Sequence, residues 1–180
     1  MRFLALLFAA ILTCTALAAD VESRQLTHYL PQDQLETIVR TESWTEIALN
    51  VKGGVRKGDV VRVWAGGSID RGNADQPGVN INGPDGVAPT LLGSEPSAFA
   101  LSPEPAHAYA LLFKTESAGP TKCVPPGKPL EIKLTKDNER LWVGFNDERG
   151  RYLDNHLGKG KRHELDPLWV LIEVIRIVVD

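Results

Sequence analysis

The chain has 180 residues, 43% hydrophobic and 24% charged, with a formal net charge of −3 at pH 7. So mildly acidic a balance lacks the basic field by which proteins hold nucleic acid, and that class of partner is excluded first. Two cysteines and no long apolar helix also leave little room for a disulfide framework or a membrane bundle.

In chain order, Arg2 is followed by the apolar run Phe3 to Leu12 and then by Ala16-Leu17-Ala18. A basic start, about ten apolar residues and a small-x-small exit predict a cleaved secretory signal over residues 1–19. The run is too short to span a bilayer, which takes roughly 20 residues. The last apolar stretch, Leu168 to Val179, is interrupted by Glu173 and Arg176. No membrane span is therefore expected. Leu12-Thr13-Cys14 loosely resembles a lipidation box, but Thr13 is a poor residue before such a cysteine. The protein is read as exported, periplasmic or secreted. About 160 residues then remain, enough for one domain with a real core. Cys123 is the one cysteine left, so stability must come from packing, with a bound ion as a further candidate source, rather than from an internal disulfide.

Residues 20–34 are polar without a period and read as a loose lead-in to a domain over 35–180. Between Gln32 and Arg40 the β-branched Thr37, Ile38 and Val39 favour strand over a turn of helix. Glu46 to Val51 alternates, with Ile47, Leu49 and Val51 on one side. Gly53-Gly54 and Lys57-Gly58-Asp59 punctuate a turn before a second strand, Val60 to Ala65. Gly66 to Ser94 is rich in Gly, Asp, Asn and Pro and reads as one long loop, of a length that is usually either functional or disordered. Tyr109 to Lys114 and Arg140 to Phe145 are apolar runs. Leu130, Ile132 and Leu134 alternate with polar residues, and Trp169 to Val179 is apolar on both faces, as in a central strand. Short strands separated by Gly/Pro turns predict an all-β sandwich or barrel.

The stretch that carries chemistry is Gly144 to Asn155. It packs Asp147, Asp154 and Asn155 into one short loop that Gly150 lets turn sharply. Calcium takes six to eight oxygen ligands, and two carboxylates with an amide supply hard oxygens and the balancing charge. The spacing is not that of an EF-hand, and the same residues also describe an ordinary polar turn.

Longer patterns bear on the choice. Trp44-Thr45-Glu46-Ile47, Lys57 to Val63, Ala65-Gly66-Gly67, Gly83-Pro84-Asp85-Gly86, Ala108 to Phe113, and Asn146-Asp147 with Tyr152-Leu153-Asp154-Asn155 occur in this order. Together they resemble the LecA (PA-IL) type of calcium-dependent galactose-binding lectin, over most of Trp44 to Gly158. The resemblance implies a jelly-roll β-sandwich with calcium at one end. It implies side-chain oxygens from Asp147, Asp154 and Asn155, and backbone carbonyls from Arg151 and from Arg71 on a second loop. A saccharide or glycoconjugate would complete the shell with two hydroxyls, so Asp147, Asp154, Arg151 and Arg71 also form the ligand site. Three departures accompany it. Pro89-Thr90-Leu91-Leu92 stands where the family has a His-Pro-x-Gln sugar contact, the stretch after Asp154 is one residue longer, and Leu157 to Pro167 is a charged insertion. A preference other than galactose alone is expected.

Two rival functions are weighed. His156, His163, Glu164 and Asp166 invite a zinc hydrolase, but no HExxH or cysteine pair is present. A structural envelope protein stabilised by calcium, binding no sugar, is the other. Lys159 to His163 reads as a solvated basic loop, three of the four tryptophans as core, and Cys123 as incidental. The expectation is calcium-dependent carbohydrate binding and no catalysis.

Overall fold

The computed structural model describes residues 21–72, 81–87, 96–116, 119–157 and 166–178. The signal segment, Pro89 to Leu92, the cluster from Lys159 to His163, and Glu164 lie outside them.

The expected all-β class is present as an antiparallel sandwich of two four-stranded sheets. In one sheet β11 (Trp169–Val178) lies between β1 (Val21–Tyr29) and β3 (Val60–Gly66), and β8 (Leu130–Lys133) completes it. In the other, β9 (Leu141–Phe145) and β6 (Leu111–Lys114) lie between β2 (Thr45–Ile47) and β7 (Lys122–Cys123). The chain crosses between sheets at most connections, so neighbouring strands are distant in sequence, as in a jelly roll. Val61, Val63, Ile132, Val170, Ile172 and Val174 of the first sheet share one buried core with Ile47, Leu111, Phe113, Leu141, Val143 and Phe145 of the second. The alternation read at Leu130 to Leu134 is visible, with Leu130 and Ile132 buried and Glu131 and Lys133 exposed. The first strand read at Glu46 to Val51 is shorter than its alternation suggests. Only Thr45–Ile47 pairs, and Val51 is buried within a turn.

Four expectations are corrected. Residues 20–34 are not a loose lead-in, because β1 pairs with β11 from Val21↔Val178 to Tyr29↔Leu171. The register shifts between Arg24 and Leu26, so the alternation reverses phase within nine residues and no period survives. Gln32–Val39 is a helix, α1, not a strand. Leu35, Ile38 and Val39 fall on one buried face at i, i+3 and i+4, and Thr37 Oγ1 donates to the Asp33 carbonyl at 2.9 Å. Burial of that face outweighs the small helix penalty of β-branched residues.

The Gly66 to Ser94 stretch is not all loop. Its β4 (Ile69–Asp70) and β5 (Ile81–Asn82) form a third, small sheet with β10 (His156–Leu157), in the order β10-β4-β5. Nor are the tryptophans core. Trp169 is exposed, and Trp44, Trp64 and Trp142 are half-buried. They occupy outer faces, where the Lys114 ammonium lies 3.8 Å from the Trp44 ring centroid and Trp64 Nε1 donates to Glu173.

Candidate metal and saccharide site

β9 delivers the chain to Asn146, whose side chain is satisfied at both ends. Its Oδ1 accepts the amides of Leu101 and Ser102, both at 3.0 Å, and its Nδ2 donates to the carbonyls of Ser102 and His107. Four such bonds in a closed environment fix the start of the loop.

Asp147 is buried next to it. Its Oδ1 accepts the Glu148 amide at 2.6 Å and its Oδ2 accepts Asn155 Nδ2 at 2.8 Å. Tyr152 closes the loop, its hydroxyl accepting the Asp147 amide and donating to the Asp147 carbonyl. Burial pushes the Asp147 carboxyl up to about 6; the two hydrogen bonds oppose the shift, while the charges of Asp154 and Glu148 add to it. Burial also raises the Tyr152 hydroxyl.

Asn155 is fully buried. Its Nδ2 donates to the Val39 carbonyl at 2.7 Å and to Asp147. Two acceptors on one nitrogen fix the orientation of the amide. Its Oδ1 is buried and has no hydrogen-bond partner among the described residues. An unmet buried acceptor costs about 1–3 kcal/mol unless something else meets it.

The second loop arrives through the small sheet. Asp70 pairs with His156, and Gly72 follows Arg71 at φ +60° against Asp154. A Cβ on Gly72 would lie 2.5 Å from the Asp154 carbonyl oxygen and 2.7 Å from its Cγ. Only glycine permits so close an approach. Asp147 and Asn155 are thus in direct contact, with Asp154 next in the chain and against Gly72. Arg151 sits just ahead of a one-turn 3-10 helix, Tyr152–Asp154, and the Arg151 and Asp154 side chains are exposed.

The donors fit a hard cation. A buried carboxylate and an amide oxygen without a partner among the described residues are the oxygen type such an ion takes, and an exposed carboxylate adjoins them. Among the described residues no three His, Cys, Asp or Glu side chains gather closely enough to hold a metal by themselves. An ion here would draw on the Asn155 amide and on backbone carbonyls.

Three contributors, Tyr109, Glu148 and Glu42, were not singled out from sequence. The Tyr109 hydroxyl donates to Glu148 at 2.6 Å, its ring centroid lies 3.8 Å from the Arg71 guanidinium, and Glu42 accepts the Gly150 amide. Tyr109 and Glu42 carry no local signal, because each meets the loop from a distant part of the chain. Cys123, half-buried on β7, has its thiol pKa raised by burial, which disfavours a nucleophilic thiolate.

No protein-family model matches the chain, and a comparison with curated proteins returns no relative. A solved structure described as "EclA N-terminal domain; PllA-like lectin" aligns with a TM-score of 0.38 and 15% identity, over 74% of this chain and 93% of that one. A likeness of this size does not show membership of a LecA-type family.

Proposed function

We propose that this is an exported saccharide-binding protein that works through calcium and catalyses no reaction. The observation that carries it is Asn155 Oδ1, a buried acceptor with no partner among the described residues, on an amide already bonded to the buried Asp147 carboxylate. Asp147, Asp154 and Asn155 would hold the ion with side-chain oxygens, and Arg151 and Arg71 with their carbonyls. Once bound, calcium supplies countercharge to the two carboxylates and coordination positions that two neighbouring sugar hydroxyls can take.

The chain's own part is preorganisation. Asn146 and Tyr152 hold the loop before any ligand arrives, and Gly72 brings the second loop against it. The exposed Asp154 carboxylate would serve both the ion and a hydroxyl. Calorimetric titration with simple hexoses, in calcium and in chelator, tests the reading. Binding in calcium alone supports it. No response to any saccharide at tens of millimolar, with calcium demonstrably bound, would make the ion a structural staple instead.

A further inference from the structure

We propose that the saccharide taken here is anionic, bearing a carboxylate or a sulfate, and that Arg71 and Arg151 hold its charge; this rests on the saccharide-binding reading above. Tyr109 is the pivot. Its backbone is left-handed, with φ 55°, a conformation that a bulky side chain keeps only where its surroundings enforce it. The enforcement is visible. The Tyr109 amide donates to the Asn146 carbonyl at 2.8 Å, its carbonyl accepts Asn82 Nδ2 at 2.8 Å, and the Phe99 ring meets its ring nearly edge-on at 4.9 Å.

The ring fixed in this way carries the Arg71 guanidinium at 3.8 Å, and its hydroxyl bonds Glu148 Oε1. The other Glu148 oxygen lies 3.4 Å from Arg151 Nε, and the Glu148 amide donates to Asp147. One run of contacts thus leads from Arg71 through Tyr109 and Glu148 to the buried carboxylate, with Arg151 on the same Glu148. A guanidinium placed in advance gives up less freedom when it meets a ligand.

The local charges allow this. Arg71, Arg149 and Arg151 lie on or beside a loop whose carboxylates among the described residues, apart from Asp147 and Asp154, are Glu148, the neighbouring Asp70 and Glu42, which accepts the Gly150 amide. With a divalent cation neutralising Asp147 and Asp154, the three guanidiniums would balance the three other carboxylates, so an anionic ligand meets no net repulsion from the described residues. A neutral sugar gains nothing from a guanidinium's charge, whereas a planar guanidinium pairs readily with a carboxylate or a sulfate.

The test is calorimetry at saturating calcium, with bound calcium verified by melting. Galactose is compared with galacturonic acid and galactose 6-sulfate, and glucose with glucuronic acid, in the wild type, Arg71→Gln and Arg151→Gln. At least one acidic sugar is expected to bind about tenfold more tightly than its neutral parent. The advantage should shrink with added salt and be largely lost in Arg71→Gln. A uronate preference without a sulfate preference identifies a carboxylate ligand, and the reverse identifies a sulfate. Acidic and neutral sugars binding alike in the wild type would overturn the proposal while leaving saccharide binding intact. That comparison and its salt dependence decide the matter even if a variant fails to fold. No binding of either kind would remove both readings.

Discussion

Asp147 and Asn155, eight residues apart, are joined by a 2.8 Å hydrogen bond in a place where neither reaches solvent. The bond links a carboxylate whose ionisation burial opposes to an amide whose oxygen has no partner. Each group is short of something a hard cation supplies, countercharge for one and a ligand for the other.

Calcium should therefore stabilise the fold, by about 2.7 kcal/mol at a hundred times its dissociation constant. Asp147→Ala should lose that gain. Melting curves in calcium and in chelator measure it, and identical curves for the wild type would mean that no such site exists.

In chelator, the same carboxylate should leave a pH signature. Its folded-state pKa, about 6, lies above the ordinary aspartate value of 3.8, so the folded chain binds more protons between those limits. Its ionisation then costs about 3 kcal/mol above pH 6, a cost removed as pH falls toward 4. Denaturant titrations of wild type and Asp147→Ala across this range isolate it. The stability difference between them should move in favour of the wild type on acidification, and a flat difference would rule the effect out.

Gly72→Ala tests the junction of the two loops. The new Cβ would meet the Asp154 backbone at 2.5 Å from a left-handed position, so one loop must move. A stability loss of about 1–3 kcal/mol is expected, with weakened calcium binding. Calcium affinity equal to wild type would show that the second loop contributes no ligand.

Away from the site, Arg176 on β11 forms a forked pair with the buried Asp59, with distances of 2.9 and 2.7 Å. Burial works to raise the Asp59 pKa, but the Arg176 and Arg56 contacts outweigh it and the pKa is lowered. Its stabilisation is thus present above the unfolded-state pKa of about 3.9 and is lost as pH falls through the lower folded value. Arg176→Ala strands the carboxylate and should cost about 3–5 kcal/mol at neutral pH, read by denaturant unfolding. A loss under 1 kcal/mol would mean that water reaches Asp59 freely.

Asp154→Ala separates binding from folding. The side chain is exposed, so the metal-free protein should melt within about 0.5 kcal/mol of wild type. Saccharide binding, expected in the range of about 0.1–10 mM for a monosaccharide, should vanish. Retained binding at saturating calcium would take Asp154 out of the site.

What the sequence determined by itself is the class of the fold and most of its strands. The period-two alternation at Leu130 to Leu134 and the two-sided apolar run from Trp169 are imposed by which faces are buried, and burial is written in the order of residues. It also grouped Asp147, Asp154 and Asn155, because they are close along the chain. The tertiary structure decided the rest. Strand β1 hides behind a register shift, and α1 is helical only because Leu35, Ile38 and Val39 find a core to enter. The tryptophans look apolar in sequence but lie on outer faces that pairing alone selects. Above all, the partnerless Asn155 oxygen and the stack of Arg71 on Tyr109 arise from contacts between residues far apart in the chain. Local spacing cannot encode them, since they exist only once the small sheet has drawn the Asp70 loop against His156.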